Sequence, residues 1–319
     1  MKRNGGQRVK CVIGNQFVMR DIWEDLYKNV NNDMVLKFYQ EGHIKLEKLK
    51  QVYRPETIQY LIETTLMVVA EHKCYTAFNC SCFEGFILFS DPDIPDDQQE
   101  PFYVDPLWDK YLSKLLIRKP VDKSLDMGGG SGIISLVLSR FSREVYCVDI
   151  NPRALEIAKL NAQINGVENI IFVHSDLFKN VPELKFDYIV FNSPTDQEGK
   201  NYVKLLETGE EILTSFFSKV LSYLDQDGIC QVSMGIFDDE IDAFQKIENW
   251  AECAQKSKLY LVMRTAQIES KTWRRMHLTI LNAEGTQDIF SFSYDKLSDN
   301  FEGQVSSEFI AHLLKNNKK

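Results

Sequence analysis

"SLDMGGGSGIISLVLSRFSREVYCVDINPRALEIAKLNAQINGV" spans Ser124 to Val167, and its reading decides the fold. A short apolar strand ends near Asp126, glycines stand at Gly128, Gly130 and Gly132, and an apolar helix begins at Ile133. Glycines at alternate positions remove Cβ where a chain turns sharply and lies close against a ligand. The strand "EVYCVDI" and the helix "PRALEIAKLNAQING", closed by Gly166, repeat the strand–helix unit at once.

The alternation extends on both sides. "VDPLWDKYLSKLLIRK" reads as a preceding helix. The strands "NIIFVHSD" and "FDYIVFN", the helix "GEEILTSFFSKVLSYL" and the strand "GICQVSM" follow. Strands separated by helices imply right-handed βαβ crossovers and a parallel sheet covered on both faces. After Asp238 come a helix, "DEIDAFQKIENWAECAQ", and the strand-like runs "KLYLVMR" and "MHLTIL", which would complete an antiparallel edge; "SSEFIAHLLK" reads as a short amphipathic helix. The expected class is α/β: a doubly wound, mostly parallel, seven-stranded Rossmann-like sheet over residues 102–319.

Residues 1–95 read differently. "DIWEDLYKNVNNDMVLKFYQEG", "HIKLEKLKQVYR" and "PETIQYLIETTLMVVAEHK" are helical in pattern, with Pro55 suited to a first turn. Two β-like runs, "CYTAFN" and "GFILFS", come next. Helices followed by a hairpin fit a smaller, mainly helical, winged-helix-like or α+β module. The acidic, proline-containing "DPDIPDDQQEP" has no periodicity and marks the boundary.

Composition narrows the partners. The chain has 319 residues, 44% hydrophobic, enough for a sizeable core. A net charge of -9 argues against a partner held mainly through phosphates, so nucleic acid is disfavoured. Seven cysteines without a CxxC pair suit a reducing compartment. Cys74, Cys80 and Cys82 near His72 match no zinc spacing and read as buried thiols, so no metal is expected. The chain shows neither a signal-peptide core nor the ~20 apolar residues of a membrane span. A cytoplasmic protein without a membrane partner is expected.

In an open sheet of this kind ligands sit at the carboxyl ends of the strands. A dinucleotide fingerprint would place its third glycine where Ile133 stands, and a P-loop would need Gly-Lys-Ser/Thr. The Asp126-x-Gly128-x-Gly130-x-Gly132 pattern suits a ligand without pyrophosphate, whose amino-acid moiety and ribose lie over the loop. The second strand ends in Asp149, placed to accept hydrogen bonds from both ribose hydroxyls. The third ends in His174-Ser175-Asp176-Leu177, where an acid can meet an adenine amino group.

From about Tyr103 to Cys230 the chain resembles the class I S-adenosylmethionine-dependent methyltransferases of the small-methyltransferase group, which includes release-factor glutamine and ribosomal RNA guanine methyltransferases. "LDMGGGSG", "VDINPRALEIAKLNAQINGV", "SDLF" and "FDYIVFNSP" carry the resemblance. It implies S-adenosyl-L-methionine as cofactor, a methionine-binding loop at Asp126 to Gly132, and a ribose acid at Asp149 flanked by Ile150 and Asn151. It also implies an adenine site at Asp176 and Leu177, a lid at Tyr103 and Asp105, and a catalytic turn beginning at Asn192, which also borders the cofactor.

That turn departs from the family. The family's Asn-Pro-Pro-Tyr orients an NH2 group with the Asn amide and the following carbonyl, and stacks an aromatic ring on the planar acceptor. Here it reads Asn192-Ser193-Pro194-Thr195, which keeps the amide and loses the ring. The expected activity is methyl transfer to nitrogen or oxygen of a small-molecule or peptide acceptor, a natural product among the candidates. The alternatives are a protein glutamine or other macromolecular acceptor, and a cofactor-binding protein whose chemistry is lost or diverted. Residues 1–95 are expected to recognise the acceptor. His174 and His277 read as packed strand residues, and Trp273-Arg274-Arg275 as a solvated basic turn.

Overall fold

A computed structural model of the chain describes residues 16–91, 107–194, 209–238, 258–268 and 271–281. Helix α1 (Gln16–Asn29) is followed by α2 (Asp33–Glu41), which Asn32 caps by accepting the Met34 N–H. Gly42, at φ 73°, ends α2 in the left-handed conformation. The helix expected from His43 onward is shorter than its pattern suggested. After the reversal at Gly42, His43 and Lys45 face outward and Ile44 inward, so the chain forms strand β1 (His43–Lys45) and leaves only four residues to α3 (Leu46–Leu49). Helix α4 (Pro55–Glu63) starts on its proline, and Asp25 accepts from the Arg54 N–H and the Thr57 hydroxyl at 2.7 Å each.

Strands β2 (Val68–Ala70) and β3 (Lys73–Tyr75) complete a three-stranded sheet in the order β1-β3-β2, a winged-helix-like arrangement. "CYTAFNCSCF" divides between two strands, because the Thr76 hydroxyl accepts the Phe78 N–H and breaks the run. The second piece, β4 (Asn79–Phe83), pairs with β5 (Phe86–Ser90) as a separate hairpin.

The second half holds α5 (Leu107–Leu115), β6 (Val121–Met127), α6 (Ile133–Leu138), β7 (Ser142–Asp149), α7 (Pro152–Ile164), β8 (Ile170–His174), β9 (Phe186–Asn192), α8 (Gly209–Tyr223), β10 (Leu224–Asp238), β11 (Lys258–Ile268) and β12 (Lys271–Leu281). Its sheet has seven strands in the order β11-β12-β10-β9-β6-β7-β8. Strands β8, β7, β6, β9 and β10 pair in parallel, and β12 runs antiparallel to both neighbours. The α/β class, the parallel sheet and the antiparallel edge all follow the sequence reading. The helices read at 239–256 and 306–315 lie outside the described residues.

The N-terminal part packs on α7. Ile22, Leu26, Phe38 and Leu61 share one buried cluster with Phe89 of β5 and with Ile157, Leu160 and Ile164 of α7. Asn161 and Asn165 of α7 then stitch the hairpin in place. Asn161 accepts from the Phe89 N–H at 2.8 Å and donates to the Phe89 carbonyl at 2.9 Å. Asn165 does the same for Ile87, at 2.9 and 2.7 Å. Arg153, at the start of α7, forms a two-pronged ion pair with Asp91, a position hidden from water where such a pair holds geometry well. Cys74 and Cys80 are buried in this half, and burial pushes their thiols up to about 11 and about 12. Among the described residues no three His, Cys, Asp or Glu side chains group as a metal site, and no helix is long and apolar enough to cross a membrane.

Candidate active site

Strand β6 lies between β7 and β9, where the winding of the sheet reverses and a crevice opens at the strand ends. The glycine loop leaves β6 there. Gly128 and Gly130 have φ of 68° and 52°, values that favour glycine. A Cβ at Gly132 would stand 2.9 Å from the Ala158 Cβ, so this glycine lets α7 close against the loop.

Asp149 is bound into the loop it was expected to face. Its Oδ2 accepts from the Gly130 N–H at 2.9 Å and its Oδ1 from the Asn151 N–H at 2.8 Å. Burial nevertheless raises its pKa. Asn151 in turn caps α7 by accepting the Arg153 N–H at 3.0 Å. Ile150 between them is 39% exposed, an apolar face beside Asp149. Leu177, with φ 45°, turns the chain at the end of β8, and Asp176 before it is exposed. His174 is exposed and lies with Nε2 2.9 Å from the Ile150 carbonyl, so it ties the ends of β7 and β8 together and is not a packed strand residue.

Asp126 lies on the inner side of the loop. It is 1% exposed and accepts the Ser135 hydroxyl at 2.6 Å beneath the loop, so it supports the loop without offering a surface for contact with a ligand. Burial pushes its pKa up to about 8, against the Ser135 hydrogen bond, and the charges of Asp109 and Asp149 act in the same direction as burial.

The turn at Asn192 brings in a residue that motif reading missed. Asn192 Nδ2 donates to Asp109 Oδ1 at 2.7 Å, from the end of β9 to the first turn of α5. Asp109 is 5% exposed, and its Oδ2 lies 3.8 Å from where a Gly130 Cβ would stand. It therefore holds the turn and stands beside the glycine loop. The far end of α5 is anchored by the Ile117 N–H, which donates to Tyr188 Oη at 3.0 Å and Gln231 Oε1 at 3.1 Å, while Gln231 Nε2 donates to the Leu115 carbonyl.

Ser193 is buried, and its N–H donates to the Ser233 carbonyl at 2.9 Å, a bond that a proline at this position would forfeit. Its hydroxyl is buried without a hydrogen-bond partner among the described residues. Pro194 is exposed. Tyr103, Asp105 and Thr195 lie outside the described residues. Trp273, Arg274, Arg275 and His277 fall on β12, where His277 stands opposite Ser233 of β10, so the basic segment is strand and not turn.

Asp109, Asp126 and Asp149 thus surround one glycine loop, close enough for the other two to raise the pKa of Asp126. Such a site favours a cation. A ligand with an ammonium and a sulfonium, a ribose for the Asp149 edge and an adenine for the Ile150 and Leu177 edge fits this arrangement. S-adenosylmethionine has these parts.

Comparison with known proteins agrees. The family described as Methyltransferase small domain matches residues 109–264. A putative protein N5-glutamine methyltransferase of Methanocaldococcus jannaschii is 35% identical over 150 residues, covering 43% of this chain and 75% of that protein. A release factor glutamine methyltransferase of Aquifex aeolicus is 37% identical over 81 residues, covering 24% of this chain and 29% of that protein. Among solved structures, M. jannaschii TYW2 in complex with AdoMet aligns with a TM-score of 0.45 at 15% identity, over 68% of this chain and 94% of that one.

Proposed function

Because this chain belongs to the methyltransferase small-domain family and is an S-adenosylmethionine-dependent methyltransferase, we propose that it delivers the methyl group to a side-chain nitrogen of a protein. The contact between Asn192 and Asp109 carries the reading. A carboxylate only accepts hydrogen bonds, so it takes the amide nitrogen of Asn192 and turns the amide oxygen toward the acceptor. An oxygen there receives an N–H and aligns the nitrogen lone pair.

When bound, S-adenosylmethionine supplies a methyl group already activated on a sulfonium. What remains for the chain is placement, which accounts for much of the acceleration in such a transfer. Asn192 orients the acceptor nitrogen, Asp109 holds Asn192, and the Ser193–Ser233 backbone bond fixes the turn to β10. The proton of the acceptor nitrogen leaves to solvent or to a carboxylate after transfer.

The relatives support a macromolecular acceptor better than the small molecule expected from the missing aromatic ring. The M. jannaschii relative, named as a protein glutamine methyltransferase, is matched over three-quarters of its length. The test is tritiated methyl transfer from S-adenosylmethionine into an extract of cells lacking the enzyme, resolved into protein, RNA and small-molecule fractions. Label should enter protein and fall with Asn192→Ala; acid hydrolysis then separates an amide acceptor, which releases methylamine, from an amine acceptor, which does not. Label confined to the small-molecule or RNA fraction would overturn the proposal.

A further inference from the structure

The winged-helix-like sheet has one face against the helices and, among the described residues, turns the other largely to solvent. In-register pairing sets His43, Tyr75 and Val68 in one cross-strand row, and Lys45, Lys73 and Ala70 in the next. Ile44 and Cys74 are buried on the inner side, so both rows lie on the outer side. The His43 and Tyr75 rings stack within 19° of parallel, with centroids 6.2 Å apart, an aromatic pair on this face. Lys45 and Lys73 stand directly opposite each other, both exposed, and pair with no carboxylate among the described residues. Like charges directly opposite across strands are unfavourable unless an anion neutralises them.

We propose that this face binds single-stranded nucleic acid, a base extending the His43–Tyr75 stack while phosphates meet Lys45 and Lys73. Single strands are held by this combination, an aromatic platform for the base and cations along the backbone. An acidic peptide would use the lysines and leave the rings without a role. A duplex is disfavoured because α4, the helix placed to enter a groove, exposes Glu56 and Glu63. The net charge of -9, which disfavours a nucleic-acid partner for the chain as a whole, weighs little at this face, since at physiological salt charges act over only ~8 Å. The surface does not depend on the identity of the methyl acceptor.

Fluorescence anisotropy of the full chain with labelled single-stranded RNA and DNA, a hairpin duplex and polyglutamate tests it. Single strands of either sugar should bind more tightly than duplex or polyglutamate. Tyr75→Ala should weaken binding by about five- to hundredfold, the range for one lost stacking partner, and Tyr75→Phe should restore it. Replacing both Lys45 and Lys73 with Gln should flatten the salt dependence by about 1.4 in log–log slope. S-adenosylhomocysteine affinity should stay unchanged in all variants, as a check on folding. Equal affinity for polyglutamate, a preference for duplex, no binding of single strands at low salt, or a Tyr75→Ala chain that binds like the parent would each overturn the proposal.

Discussion

Asn161→Ala is expected to damage the fold and the cofactor loop together. The side chain is fully buried and makes three hydrogen bonds, two to the Phe89 backbone and one from Nδ2 to the Ser131 carbonyl at 2.8 Å. Alanine leaves the Phe89 N–H, the Phe89 carbonyl and the Ser131 carbonyl without their partner in a dry seam. Each buried orphan costs ~1–3 kcal/mol, and partial relaxation brings the sum to about 3–6 kcal/mol. That is a large part of the ~5–15 kcal/mol by which domains are stable. At ~2–4 °C per kcal/mol the melting temperature should fall by about 6–24 °C. Because Ser131 sits in the glycine loop, S-adenosylhomocysteine affinity should fall several-fold as well. Asn165→Ala is the control: it breaks bonds to Ile87 and Trp23 and leaves the loop untouched. Thermal unfolding by circular dichroism and calorimetric titration read both effects. A shift below about 2 °C for Asn161→Ala, or an equal affinity loss in Asn165→Ala, would refute the claim that this seam supports the cofactor loop.

Asp149→Ala should weaken S-adenosylhomocysteine binding by about ten- to hundredfold, and since it also frees the Gly130 and Asn151 N–H groups it should lower the melting temperature of the empty protein. Asp109→Ala should reduce methyl transfer by about ten- to hundredfold through loss of one charge-assisted bond, with Asp109→Asn recovering part of it; rates equal to the parent would show that Asn192 needs no holder. The pKa of Asp126, pushed up to about 8, means the folded chain keeps a proton that the unfolded chain has released above the ordinary carboxylate range. Stability from this group is therefore full in acid and declines as pH rises toward about 8, by at most ~1.4 kcal/mol per pH unit, which melting curves at pH 5, 7 and 9 would reveal. A cationic ligand favours the ionised carboxylate, so binding S-adenosylmethionine at pH 7 should release a proton; a binding enthalpy independent of buffer ionisation would contradict this.

The sheet was legible because each strand and helix of its parallel half declares itself locally. "EVYCVDI" and "FDYIVFN" are continuous apolar runs, as strands buried on both faces must be, and Gly166 stops α7 with φ 65°. The glycine loop and Asp149 were legible for the same reason, as features of one short segment. The N-terminal part was less so. "HIKLEKLKQVYR" has helical spacing, but strand pairing with Lys73–Tyr75 outweighs the propensity of three residues, and that partner lies 28 or more positions away.

Asn161 and Asp109 were missed by motif reading because their partners lie 72 and 83 positions away in the chain, beyond any local period. Asp109 nevertheless left a mark. In "LWDKYLSKLL" the residues at spacings of three and seven from Asp109 are Leu112 of α5 and Leu116 just past its end, both buried, so a carboxylate occupies the apolar stripe of this segment. Charged side chains are almost never buried without a partner, because an unpaired buried charge costs several kcal/mol. An acid on a stripe of leucines therefore requires a hydrogen-bond donor from another element, and a helix that packs on the sheet at the start of the domain meets the ends of its central strands. The donor is the Asn192 amide. Periodicity, read for the residue that violates it, thus points from α5 to the turn at Asn192.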